Sequence, residues 1–183
     1  MKLEDIMVKR ISNAKFLEKP VAVDFLIELL ESAVYAPNHK MREPWRFIIF
    51  DSFGKKQFLD DYISIMSQTE KDSILVSLNK IFNAPIIVAV IMKKAPNVID
   101  EKEDLLATGA LIQNFLLLLT SHGLSSFWKT PSFIDYDSFK KTLGLNQDEV
   151  VTGMIMAGYP MTDLTPKIRQ KAISKTIIYR SIH

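Results

Sequence analysis

Over residues 100–122 the sequence predicts one long helix whose middle is apolar nearly all round. A helix of that kind must be covered on both sides. Its start is acidic (Asp100, Glu101, Glu103, Asp104), which suits the positive end of the helix dipole, and Gly123 is a natural stop. Its longest apolar stretch, 105–119, is interrupted by Thr108, Gly109, Gln113 and Asn114 and falls short of the ~20 residues needed to span a bilayer. The expectation is a buried helix rather than a membrane span. In a chain of 183 residues, one of its two covering layers is expected to be another subunit.

The remaining elements follow from apolar spacing and breakers. Residues 3–9 read as a short helix, and Pro20 breaks the chain. Over 23–35, Leu26, Leu29, Leu30 and Ala33 recur at i, i+3, i+4 and i+7, opposite Asp24, Glu28 and Glu31. That is an amphipathic helix, and Pro37 ends it. Residues 45–50 (WRFIIF) read as a strand with 51–54 as its exit turn, and 55–82 as two helices broken near Gln68 and Thr69. After Pro85, the run IIVAVIM (86–92) is apolar on both faces, as an interior strand requires. A short strand at 124–129, a helix at 135–143 ended by Gly144 and a third central strand at 150–157 follow. A late β-like run occupies 176–179. No repeat or linker divides the chain, so the expectation is one α+β layered domain over 1–183.

Composition narrows the chemistry. Hydrophobic residues make up 48% and charged residues 24%, which fits a packed core and not disorder. The net charge of +2 argues neither for nor against nucleic acid, but Lys167, Arg169, Lys171, Lys175 and Arg180 face only Asp163 in the tail. With no cysteine, disulfides, thiolate nucleophiles, iron–sulfur clusters and Cys-ligated zinc are excluded. His39, His122 and His183 lie far apart without metal-ligand spacing, so no metal site is expected. There is no Gly-x-Ser-x-Gly elbow, P-loop or Gly-x-Gly-x-x-Gly. If the protein is an enzyme, its chemistry belongs to a cofactor, and the protein supplies position and electrostatics. The N-terminal MKLEDIMVKR lacks the apolar run of a signal peptide, and the expected location is the cytoplasm.

Two motifs carry what chemistry is visible. Lys9-Arg10-Ile11-Ser12 sets two cations and a hydroxyl just beyond a short helix. Arg10 offers a planar fork of donors suited to phosphate, and Ser12 can add another; alone, the same residues read equally as a surface basic pair. The loop APNHKMREPW (36–45) leaves a helix and enters a strand. It can aim backbone donors, with His39 and Lys40, at a polar heterocycle, or it is a Pro-rich connector.

In order and spacing these segments resemble the nitroreductase family of FMN-dependent oxidoreductases, in its small, compact branch. The resemblance covers nearly the whole chain, 1–180. It rests on KRIS at 9–12, FLIELLESAVYAP at 25–37, NHKMREPWRFIIF at 38–50, APIIVAV at 84–90, TGALIQNFLLLLTSHGLSSFWKT at 108–130, VVTGMIMAGYP at 150–160 and KIRQKAISK at 167–175. It implies a central, mostly antiparallel sheet flanked by helices, and a homodimer with the long helix at the interface. Residues 160–183 would be an extension wrapping the partner subunit. It also implies FMN as cofactor, NADH or NADPH as hydride donor, and ping-pong hydride transfer through the flavin N5 to a nitroaromatic, quinone or similar small acceptor. No catalytic side chain and no metal is implied, and neither a nucleic acid nor a membrane partner. The cofactor-binding positions matched by the resemblance are Arg10, Ile11, Ser12, Tyr35, His39, Trp128, Lys129, Thr130 and Arg169, with 118–123 matched to nicotinamide contact. Against the common Arg-Arg-Ser, Ile11 places an apolar group where a donor is usual, and Glu43 replaces the usual Gln before Pro-Trp. The alternatives are a flavin-fragmenting or dehalogenating member of the same fold and a non-catalytic flavin-binding protein.

Overall fold

Strand β2 (Ile86–Lys93) is buried at every residue except Lys93 and lies in the middle of the sheet, as its two-sided apolarity predicts. In a computed structural model describing residues 2–178, four antiparallel strands run in the order β1-β2-β4-β3. Here β1 is Trp45–Phe50, β3 Ser125–Lys129 and β4 Glu149–Gly158. Side-chain alternation sends Ile87, Ala89 and Ile91 to one face and Ile86, Val88 and Val90 to the other. In β4 the parity changes: Val151 joins the first face with Met154 and Met156, because the pairing slips opposite Val90 and Ile91. Thr152 is the extra residue of that bulge, and its hydroxyl donates to the Val90 carbonyl at 3.0 Å.

Helices cover both faces, giving the α+β arrangement the sequence predicts. On the first face lie α3 (Ser52–Ile65), α4 (Gln68–Phe82) and α6 (Asp137–Thr142), around Phe58, Tyr62, Leu78, Ile81 and Phe139. On the second lie α2 (Val23–Ala33) and α5 (Val98–Ser121), around Leu26, Leu30, Leu111, Phe115 and Leu119. Helix α1 (Leu3–Lys9) touches α5 and buries no residue of its own. By length and composition α5 is apolar enough to cross a membrane, but here it is a core helix resting on the sheet. Its outer side is uncovered: Leu105 is 54% and Leu106 66% exposed, and a Cβ on Gly109 would meet nothing within 4 Å.

Several boundaries differ from the sequence reading. Residues 51–54 are not an exit turn. Asp51 caps α3 by accepting the Gly54 N–H at 2.7 Å, so the helix starts at once. The break between α3 and α4 falls at Met66–Ser67, where Ser67 and Glu70 form a capping box, rather than at 68–69. Helix α2 stops at Ala33, short of Tyr35, and α5 begins at Val98, capped by Asn97. Helix α6 is shorter than predicted because a 3-10 turn, Ser132–Asp135, precedes it. The late run at 176–178 forms no strand, having no partner among the described residues; Tyr179 and Arg180 lie outside them.

One ion pair ties β1 to β4 across the sheet. Arg46 grips Glu149 with two of its three guanidinium nitrogens, Nε to Oε1 at 2.5 Å and Nη2 to Oε2 at 2.8 Å, and the Asn146 N–H adds a bond at 2.8 Å. The Arg46 bonds pull the Glu149 pKa down to about 2. A carboxyl whose folded pKa is depressed contributes stability above its ordinary value and loses it as pH falls toward the folded one. Arg46 is 42% exposed on its side chain, so solvent screens part of the pair, and the contribution is about 1 kcal/mol. Urea unfolding at pH 6 and near pH 3 is expected to show Glu149→Gln less stable at pH 6, with the gap narrowed but not closed at pH 3.

Candidate functional site

The segment after α1 is laid along one end of the sheet. Ser12 bridges Ser126 of β3, the Asn13 N–H donates to the Ser126 carbonyl at 3.0 Å, and Leu17 N–H donates to the Tyr159 carbonyl at 2.9 Å. The Asn13 side chain donates to Ser125 Oγ at 2.9 Å and to the Lys15 carbonyl at 2.8 Å. Arg10, just before this pinned segment, lines a cavity of about 430 Å³ with Met7, Ile11, Lys167, Ile168 and Arg169, among others. That lining holds three cations and no carboxylate. None of the three forms an ion pair among the described residues. Ile11 also lines a neighbouring cavity with Lys9, Thr120 and Ser125. In the residue paired with Ser12, Ser126 Oγ is buried without a hydrogen-bond partner.

Trp128 and Lys129 stand on β3, and Thr130 is exposed just beyond it. The Trp128 indole packs against Gly153, where a Cβ would come within 2.1 Å of Nε1, and it donates to the bulge carbonyl of Thr152 at 3.3 Å. Gly153 is required there for space, not for backbone conformation. The Lys129 ammonium lies 4.7 Å from the centre of the Phe127 ring.

The second motif sits elsewhere. Tyr35 is exposed and lines a cavity of about 570 Å³ with Val34, Pro37, Asn38, Met41 and Glu43, while His39 stands exposed in a short 3-10 turn. Lys40, Met41 and Glu43 all take left-handed backbone angles, with φ of 53°, 51° and 44°. None is glycine, and each such residue costs about 1–3 kcal/mol unless its surroundings hold it. Strain of this kind collects at functional sites.

Arg10, Ile11 and Arg169 are therefore brought together, Ser12 lies beside them, and Trp128, Lys129 and Thr130 follow along β3. Tyr35 and His39 are not brought to them. The Arg10 end abuts Thr120 near the end of α5, and the loop at 37–43 is bonded to Asp104 near its start. At the α-helical rise the two lie about 24 Å apart. Asn13, Ser125 and Ser126 escaped the sequence reading. Small polar residues are common in loops and strands, and only the pinning of 12–17 to the sheet marks them. A further cavity, about 650 Å³ between Phe16, Lys19, Lys55, Lys80 and Met161, holds none of the predicted residues. There the half-buried Lys55 donates to the Ala84 carbonyl, and burial lowers its pKa.

The donor set around Arg10 fits a phosphate, and so fits the phosphate end of FMN: a guanidinium fork, two further cations, a nearby hydroxyl and no competing carboxylate. The sequence profile of the Nitroreductase family matches residues 7–159, and the chain belongs to that family. Among similar proteins, "Putative NAD(P)H nitroreductase YfhC" of Bacillus subtilis is 30% identical over 174 residues, 92% of this chain and 89% of that protein. The crystal structure of a nitroreductase-like family protein from Bacillus cereus superposes with a TM-score of 0.89 at 30% identity, over 99% of this chain and 97% of the other. The FMN- and NADPH-dependent nitroreductase NfnB from a Sphigopyxis species shares the fold, with a TM-score of 0.77 at 16% identity and full coverage of both chains.

Proposed function

We propose that this chain is an FMN-dependent NAD(P)H oxidoreductase acting as a homodimer, with two flavin sites built from both subunits. The observation that carries the reading is the cavity where Arg10, Lys167 and Arg169 converge without a carboxylate. FMN, when bound, supplies hydride exchange between NAD(P)H and a reducible acceptor such as a nitroaromatic or quinone. Arg10 and Arg169, with Ser12, hold its phosphate, and Ile11 lends an apolar contact. Trp128, Lys129 and Thr130 lie along the ring, and Lys129 adds a cation that favours negative charge there. The segment 118–123 is the place proposed for nicotinamide contact, and the NAD(P)H pool fits a cytoplasmic location.

The 24 Å separation, about the span of sixteen residues of helix, supports the dimer. A two-fold axis across the middle of α5 would set the Arg10 end of one protomer beside Tyr35 and His39 of the partner subunit. It would also cover Leu105, Leu106 and the open space at Gly109. Residues 165–178 are exposed throughout, Ile168 fully, and the extension 160–183 is proposed to wrap the partner. Steady-state oxidation of NADH and NADPH by the FMN-loaded protein, with a quinone or nitroaromatic varied, tests the reading. Parallel double-reciprocal lines are expected. Failure of both donors to be oxidised, with the flavin bound, would leave a binding protein instead.

A further inference from the structure

We propose that Arg42 is a positioning residue of the flavin site. It fastens the strained loop at 37–43 to the first turns of α5 and so fixes where Tyr35 and His39 stand. This rests on the reading that those two residues wall the flavin of the other protomer. The loop's own bonds give it shape but do not tie it to the body. Asn38 Oδ1 accepts the Glu43 N–H at 3.1 Å, the Asn38 side-chain amide donates to the Ala36 carbonyl at 3.3 Å, and the Arg42 N–H donates to the His39 carbonyl at 3.2 Å.

The Arg42 guanidinium makes the tie. Nε donates to Asp104 Oδ1 at 2.8 Å, Nη1 to Asp100 Oδ1 at 3.3 Å, and Nη2 to Glu103 Oε2 at 3.1 Å and the Asp100 carbonyl at 3.3 Å. All three carboxylates belong to the acidic start of α5, which the helix dipole alone would leave in solvent. Asp104 is instead buried, and Arg42 is the partner that compensates its charge. The fork cannot be copied by lysine, whose single ammonium reaches one carboxylate at a time. Arg42 sits between two left-handed residues, Met41 and Glu43, so releasing it frees the strained backbone on both sides. A loop held in this way is preorganised before any ligand arrives, and a residue that touches neither cofactor nor substrate sets the affinity for both.

The test compares wild type, Glu103→Gln, Arg42→Lys and Arg42→Ala by amide hydrogen exchange of 36–44, by FMN titration and by steady-state kinetics. Loop exchange is expected to speed up in that order while β2 and β4 stay protected. In Arg42→Ala, the FMN Kd and the acceptor KM should rise about tenfold with kcat little changed, the split expected of misplacement rather than lost chemistry. Arg42→Lys should recover part of the loss. An unchanged loop in Arg42→Ala overturns the tie, and a loosened loop with unchanged Kd and KM overturns the positioning role. If Arg42→Ala does not fold, Glu103→Gln and Arg42→Lys carry the same comparison. Wild-type protein that binds no FMN would sink the functional reading and the positioning role with it, while loop exchange still decides whether Arg42 is the tie.

Discussion

Phe139→Ala lowers the free energy of unfolding by about 3–5 kcal/mol, the range for truncating a buried aromatic side chain. Phe139 is fully buried and is the one buried residue of α6, a helix of six residues. Its ring centre lies 4.9 Å from that of Phe133, 5.2 Å from that of Tyr62 and 5.4 Å from that of Phe58. Removing it takes away the contact that docks α6 on α3, and the rings around it cannot all close on the gap. Against a usual total of about 5–15 kcal/mol, that is a large share. Urea unfolding followed by circular dichroism measures it. A loss under 1 kcal/mol would mean the aromatic cluster repacks freely. Because this cluster lies on the face of the sheet away from α5, the folded variant should bind FMN as wild type does.

Arg10→Ala weakens FMN binding by about 1.5–3 kcal/mol, the worth of a charge-assisted hydrogen bond. That is about 10- to 150-fold in Kd. Folding should be nearly untouched, since Arg10 follows a helix that buries no residue and its guanidinium has no ion-pair partner among the described residues. Flavin fluorescence titration at fixed salt gives the number. The loss should shrink as salt rises, because the contact is one of charge. An unchanged Kd would move the phosphate away from Arg10 and leave Lys167 and Arg169 without their proposed role.

The parts of the fold that read easily were those where one physical rule dominates. The run IIVAVIM has no polar face, so it can only be interior, and it is. The pattern of Leu26, Leu29, Leu30 and Ala33 fixed the buried side of α2. Residues 51–54 misled because Asp, Ser and Gly serve turns and helix starts alike, and only the Asp51 cap decides between them. The bulge at Thr152 has no sequence mark; it shows in the changed parity of Val151 and Met154. The run at 176–178 has β-branched residues but no neighbour to pair with among the described residues. In the site, Arg10 stood out by its chemistry and Arg169 by the resemblance to the family. The pinning by Asn13 and the left-handed Lys40, Met41 and Glu43 did not, because non-glycine residues give no sign of a positive φ. Nothing in the sequence marks Arg42, because the carboxylates it meets lie 58–62 residues further on, in α5.

The central claim is that FMN binds where Arg10 and Arg169 meet. Purified protein incubated with excess FMN, desalted, and read by its visible spectrum before and after denaturation tests this most directly, with the released chromophore identified by chromatography. The account predicts yellow protein that releases FMN in numbers equal to its chains. Protein that emerges colourless would contradict it, and the cationic cavity would then belong to some other anion.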